Sequence, residues 1–123
     1  MERPPIMFED GSVYIGTWTT ERKHKHGNGI LITREGISYK GEWNNSVPQG
    51  KGVLLFQNSH TIEGNWFKGN AHGAVKETRS DGSIYEGGFF CDMKHGQGIE
   101  TVPGEFHYEG GFYFDKRQGF GTI

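Results

Sequence analysis

The chain of 123 residues has one cysteine, four prolines, no long apolar run and no excess of basic charge. Cys91 alone cannot close an internal disulfide, so a reducing, intracellular compartment is the expectation. No stretch approaches the ~18–20 apolar residues that a transmembrane helix needs. Met1 to Glu9 lacks the charged and apolar regions of a secretory signal. Thirteen Lys and Arg stand against fifteen Asp and Glu, which argues against nucleic acid as a partner, because that recognition needs a basic face. Hydrophobic residues make up only 33%, too few for an ordinary globular core. The 21 glycines account for the shortfall, and they interrupt every window in which a 3.6-residue period could build a helix.

What fills the chain is one phrase written five times. An aromatic residue, a glycine and a second aromatic alternate, a loop follows, and then comes Gly-x-Gly. The copies are Tyr14-Gly16-Trp18, Tyr39-Gly41-Trp43, Ile62-Gly64-Trp66, Tyr85-Gly87-Phe89 and Tyr108-Gly110-Phe112. Starts at 14, 39, 62, 85 and 108 are 25, 23, 23 and 23 residues apart. Such a period means stacked units that touch only their neighbours. Alternation of aromatics with period two makes each phrase a strand with one aromatic face, and the Gly-x-Gly segment is its returning partner.

In the second unit, Asn44 to Gln49 reads as a six-residue loop holding Pro48. Pairing Trp43 with Gly50 then sets Gly41 opposite Gly52 and Tyr39 opposite Leu54. Glycine weakens a strand, and a large ring laid over the bare backbone recovers the lost burial. Val75 replaces the second glycine of the third unit, and its expected partner is Gly64. Between units, Asp10-Gly11, Glu35-Gly36 and Asp81-Gly82 predict two-residue hairpin turns, with Asn58-Ser59 and Pro103-Gly104 in the same role. The expected architecture is all-β: an elongated, single-layer antiparallel meander of five repeats over residues 1–123. A partial unit at residues 6–13 precedes them, giving about eleven strands with two raw edges. Raw edges are pairing templates, so the array either continues in a longer chain or is capped end-to-end or side-by-side by another.

Tyr85-Glu86-Gly87-Gly88-Phe89 followed by His95-Gly96-Gln97-Gly98, repeated in phase, resembles the MORN repeat family over nearly the whole chain. The first loop's two-residue insertion, Ile62, Val75, Gln49 and Gln118 depart from the pattern. The resemblance implies a twisted single-layer sheet with grooves. It also implies a non-catalytic scaffold in ciliary, basal-body or junctional assemblies, or a module beside a catalytic domain.

Candidate functional residues divide into three groups. His26, His72 and His95 each precede a Gly-x-Gly. Two such histidines on consecutive units lie about 10 Å apart, and zinc ligands sit about 2 Å from their ion, so a loop-closing hydrogen bond or ring packing is expected and no metal or cofactor. Arg22, Lys23 and Lys25 form a basic loop that either contacts anionic lipid or is simply solvated. Ile30, Ile32, Val53, Leu55 and Ile99 fall on the face opposite the rings, beside Lys40, Glu42, Glu63 and Glu86. That row is either a partner-binding patch or is covered by sheet twist. No nucleophile elbow is present, and Gly27-Asn28-Gly29 opens no helix that would bind phosphate. The expected function is a non-enzymatic scaffold for protein partners in the cytoplasm or cytoskeleton, in its narrowest form in a cilium or flagellum. Membrane-surface binding and a regulatory array in a larger enzyme are the alternatives.

Overall fold

A computed structural model describes residues 4–21 and 23–122. It contains β1 (Ile6–Met7), β2 (Val13–Trp18), β3 (Lys25–Ile32), β4 (Ser38–Asn44), β5 (Val47–Leu55), β6 (Thr61–Phe67), β7 (Asn70–Thr78), β8 (Ile84–Phe90), β9 (Met93–Val102), β10 (Phe106–Tyr113) and β11 (Lys116–Thr122). All eleven form one antiparallel sheet in chain order, and no helix forms among the described residues. The fold is thus five hairpin units preceded by β1. At ~4.8 Å per strand the ribbon is about 50 Å long.

The paired glycines lie where alternation puts them. Gly16 faces Gly29, Gly41 faces Gly52, Gly87 faces Gly98, and Gly64 faces Val75. Tyr39 faces Leu54. The Trp43–Gly50 pairing does not form, because the turn is shorter than the sequence suggests. Asn45 and Ser46 alone make it, at φ 47° and 70°, and Pro48 lies in β5 opposite Trp43. The two residues left over on the returning strand are absorbed by a bulge between Gly41 and Trp43, with Gly50 at φ 103°, a conformation that L side chains rarely adopt. Gly50 then pairs with Trp66 of the following unit. The same shift recurs in β2, β6, β8 and β10.

Positive φ at Asn45 and Ser46, Cys91 and Asp92, and Phe114 and Asp115 is costly for non-glycine residues. Each turn is held by the hairpin before it. The Ser46, Gly69, Asp92 and Asp115 amides donate to the Lys25, Pro48, Ala71 and Lys94 carbonyls at 2.8–3.0 Å. In return, the Asp92 and Asp115 carboxylates accept from the Ala71 and Lys94 amides at 2.6 and 2.8 Å.

The connections between units also differ from the expected two-residue turns. Gly82 N–H donates to Arg79 O at 3.0 Å and Arg79 N–H to Ser83 O at 2.9 Å, enclosing three residues. A type I turn followed by one residue at positive φ gives this geometry, and Gly82 supplies it at 89°. Phe8–Ser12 and Thr33–Ile37 close alike, and Phe56–His60 closes with Ser59 at φ 69°.

Candidate functional surface

One face of the sheet carries the core. Tyr14, Trp18, Tyr39, Trp43, Trp66, Tyr85, Phe89, Tyr108 and Phe112 are all buried there, although no second layer of described residues covers them. The rings shield one another edge to face, as Tyr39 does with Trp43 and Trp66 at 5.1 and 5.5 Å. Each repeat tyrosine reaches across its own glycine to the carbonyl three residues on. Tyr14 donates to Thr17 O, Tyr39 to Glu42 O, Tyr85 to Gly88 O and Tyr108 to Gly111 O at 2.8–3.1 Å. The hydroxyl end of the ring occupies the space a Cβ on Gly29, Gly52 or Gly98 would need. Where Ile62 replaces tyrosine no hydroxyl enters that space, and Val75 fills it, 5% exposed. Trp43 and Trp66 tie each unit to the one before, their Nε1–H groups donating to Gly29 O and Gly52 O at 3.0 Å. Burial pushes the Tyr39 and Tyr85 phenols up to about 12. Gly110 pairs with Gly98 and Gly121. The repeat positions thus serve architecture.

Between rungs of this face the units differ. Leu31 and Leu54 sit opposite Tyr39 and Ile62, whereas Glu77 and Glu100 hold the equivalent places opposite Tyr85 and Tyr108. Glu100 is buried, with Arg79 at 3.5 Å and Lys94 and Arg117 at 3.7 Å. Glu77 contacts His60 at 2.7 Å and Arg79 at 3.5 Å. Opposite charges held this close offset the cost of burying the carboxylate. This cluster was not foreseen, although the exchange of Leu for Glu at a fixed repeat position is visible in the sequence.

The histidines belong to the hairpin tips. His26 and His95 accept at Nδ1 from the Asn45 and Phe114 amides, at 3.4 and 3.3 Å, so each helps close the turn of the following unit. Gln49 does the same for Lys68 at 3.4 Å. His72 stands between Phe67 and Phe90, with centroids at 5.6 and 5.3 Å, and His95 between Phe90 and Phe114 at 5.8 and 4.6 Å. Among the described residues no group of three or more His, Cys, Asp or Glu could hold a metal ion. The ladder of exposed Phe67, Phe90 and Tyr113 was missed. Its sequence signal is the doubled aromatic in Trp66-Phe67, Phe89-Phe90 and Phe112-Tyr113.

The opposite face has no covering layer among the described residues. One row runs along it strand by strand: Ile15 pairs with Ile30, Ile30 with Lys40, and Lys40 with Val53. It continues through Glu63, Lys76 and Glu86 to Ile99. Ile32 and Leu55 flank Ser38 in the adjacent row. Ile30, Ile32, Val53 and Leu55 therefore gather with Ile15 at the N-terminal half. Ile99 stands apart, beyond three charged rungs. Ile15, Ile32, Leu55 and Ile99 are 39–43% exposed, so twist does not hide them.

The basic loop is divided. Lys23 is exposed, and Arg22 lies outside the described residues. Lys25 is in β3 on the ring face, its Nζ 4.8 Å from the Phe8 ring centroid and 5.7 Å from those of Tyr14 and Trp43. Burial lowers its pKa, partly opposed by Asp10.

The MORN repeat family model matches residues 39–61, 63–84, 85–103 and 108–123, more than half of the chain. The hairpin that starts at Tyr14 repeats the same register outside those segments. Comparison with curated proteins gives no match.

Proposed function

We propose, on the premise that this chain belongs to the MORN repeat family, that it is a non-catalytic scaffold whose open face binds protein partners. MORN repeats are known in protein-interaction and membrane-binding modules, and the family is generally non-catalytic. The observation that carries the reading is the uncovered apolar patch around Ile15, Ile32 and Leu55 on a sheet one layer thick. Contiguous apolar surface of this kind marks interaction sites on soluble proteins. The rings of the buried cluster are already used for packing on the other face, so the open face can vary without harming the fold. A role in a cytoskeletal assembly, ciliary or flagellar in its narrowest form, rests on the family alone. Fractionation that leaves the protein outside cytoskeletal material would remove it.

Lipid-surface binding through Arg22, Lys23 and Lys25 is the weaker reading, because Lys25 is engaged over three rings. Cross-linking in cells tests the choice. The Ile32→Asp/Leu55→Asp double variant should keep the wild-type melting profile and lose cross-linked protein partners. Partners recovered unchanged by that variant, or salt-sensitive liposome flotation abolished by Lys23→Glu, would reject the scaffold reading.

A further inference from the structure

Independently of that reading, we infer that the aromatic ladder at the hairpin tips is a self-association surface. A second copy of the chain packs on it antiparallel, with Lys68 of each copy against Asp92 of the other.

The ladder faces away from the core. Trp66, Phe89 and Phe112 belong to the buried cluster, so strand alternation turns Phe67, Phe90 and Tyr113 to the open face. These three residues end β6, β8 and β10, and Phe114 follows in the turn after β10. All four rings are 36–54% exposed. His72 and His95 stand between them and make the strip continuous. An aromatic residue spans about 150–250 Å², so at these exposures the strip leaves about 350 Å² open to water. Two strips in contact then hide about 700 Å² of apolar surface. At the ~57% apolar share of ordinary interfaces the whole contact covers about 1,200 Å², where specific dimers begin.

Charge selects the occupant and its register. Lys68 and Asp92 are exposed and, among the described residues, form no ion pair within 4 Å. Consecutive tips stand ~9.6 Å apart, and in a two-fold pair every contact occurs twice. Parallel ribbons set Lys68 on Lys68 and Asp92 on Asp92, and opposed like charges are costly. Among antiparallel registers that lay ring on ring, those centred on the Lys68, Asp92 or Asp115 tip oppose like charges too. So does the register centred between the last two tips. Centred midway between Lys68-Gly69 and Cys91-Asp92, the ribbons bring Lys68 to Asp92 twice and Phe67 to Phe90 twice. Phe114-Asp115 then meets the uncharged tip at Asn45-Ser46, beside the exposed Val47. A second copy thus supplies rings and both signs of charge at the one spacing the strip requires.

Sedimentation velocity of the full chain from about 10 µM to about 1 mM tests the pairing. A reversible dimer with a dissociation constant of about 10–100 µM is expected. Lys68→Glu should melt like wild type and weaken the dimer about tenfold, because it opposes like charges twice. Phe90→Asn should abolish the dimer, and the fold accepts it because Asn44 holds the equivalent place in β4. Cysteine reads the register. Lys68 and Cys91 occupy the same turn position, at φ 51° and 50°, so Lys68→Cys leaves the turn intact. Mild oxidation of that variant should join the new thiol of each copy to Cys91 of the other. In the wild-type dimer the two Cys91 residues stand one unit apart, ~9.6 Å. That exceeds the ~7 Å reach of a disulfide, so they should stay reduced. Lys68→Cys/Cys91→Ser should stay reduced as well. A chain still monomeric at about 1 mM, a Lys68→Glu protein that dimerises as wild type does, or wild-type Cys91 that cross-links as fast as the Lys68→Cys variant would overturn the proposal. Ile32→Asp/Leu55→Asp changes the far ends of β3 and β5 and should dimerise normally, so its cellular partners bear on the scaffold reading alone.

Discussion

The exchange of Tyr and Gly for Ile62 and Val75 in the third unit predicts that the same exchange will work elsewhere. In the second unit, Gly52→Val alone forces a side chain into the space held by the Tyr39 hydroxyl. The ring cannot swing aside freely, because it is 5% exposed and held between Trp43 and Trp66. Overpacking costs about 1–3 kcal/mol, and losing the bond to Glu42 O, 3.1 Å long, adds about 1 kcal/mol. The expected loss is about 2–4 kcal/mol. Tyr39→Ile alone gives up ring burial and leaves a void, for about 2–4 kcal/mol. Combined, valine fills what the ring vacates, so the double variant should be about 1–3 kcal/mol more stable than the sum of the singles. Neighbouring repeats contribute separable stability, so urea unfolding followed by tryptophan fluorescence is the assay, since Trp43 and Trp66 flank the site. The mirror experiment runs in the third unit: Ile62→Tyr should destabilise by about 1–3 kcal/mol and Val75→Gly should rescue it. Additive losses in both units, or a Gly52→Val protein as stable as wild type, would refute the ring-over-backbone account.

Trp43→Phe keeps a ring but removes the bond to Gly29 O, and should cost about 1–2 kcal/mol in urea unfolding. Glu100→Gln leaves Arg79, Lys94 and Arg117 crowded around a neutral group; a loss of about 1–3 kcal/mol, shrinking as salt rises, is expected in melts at low and high ionic strength. Alkali should unfold the array. The Tyr39 and Tyr85 phenols are raised to about 12 in the fold against an ordinary value of 10.0, so the unfolded chain loses these protons first. Stability is then intact below pH 10.0 and falls as pH rises toward 12. Ultraviolet titration of phenolate should show these two tyrosines ionising together with unfolding.

How much of this was legible follows from how local each signal is. The glycine–glycine rungs and the Tyr39–Leu54 pair follow from period-two alternation, which is written along the strand itself. Turn length is not written there. Asn45-Ser46, Cys91-Asp92 and Phe114-Asp115 take positive φ because the preceding hairpin offers carbonyls to their amides, and a contact supplied from some twenty residues upstream leaves no local mark. Once the turn shortens, the bulge at Gly50 follows by counting, and Trp43 and Trp66 take their glycine partners, Gly27 and Gly50, from the preceding unit. The split of the open face has the same origin. Which apolar residues cluster depends on cross-strand register, so Ile15 joins Ile30 and Val53 while Ile99 is left beyond the charged rungs. A single layer held together by rings on one side needs nothing from the other. Surface composition there is free to differ between units, and that freedom is why a repeat so regular on its buried face can carry an aliphatic half and a charged half on its exposed one.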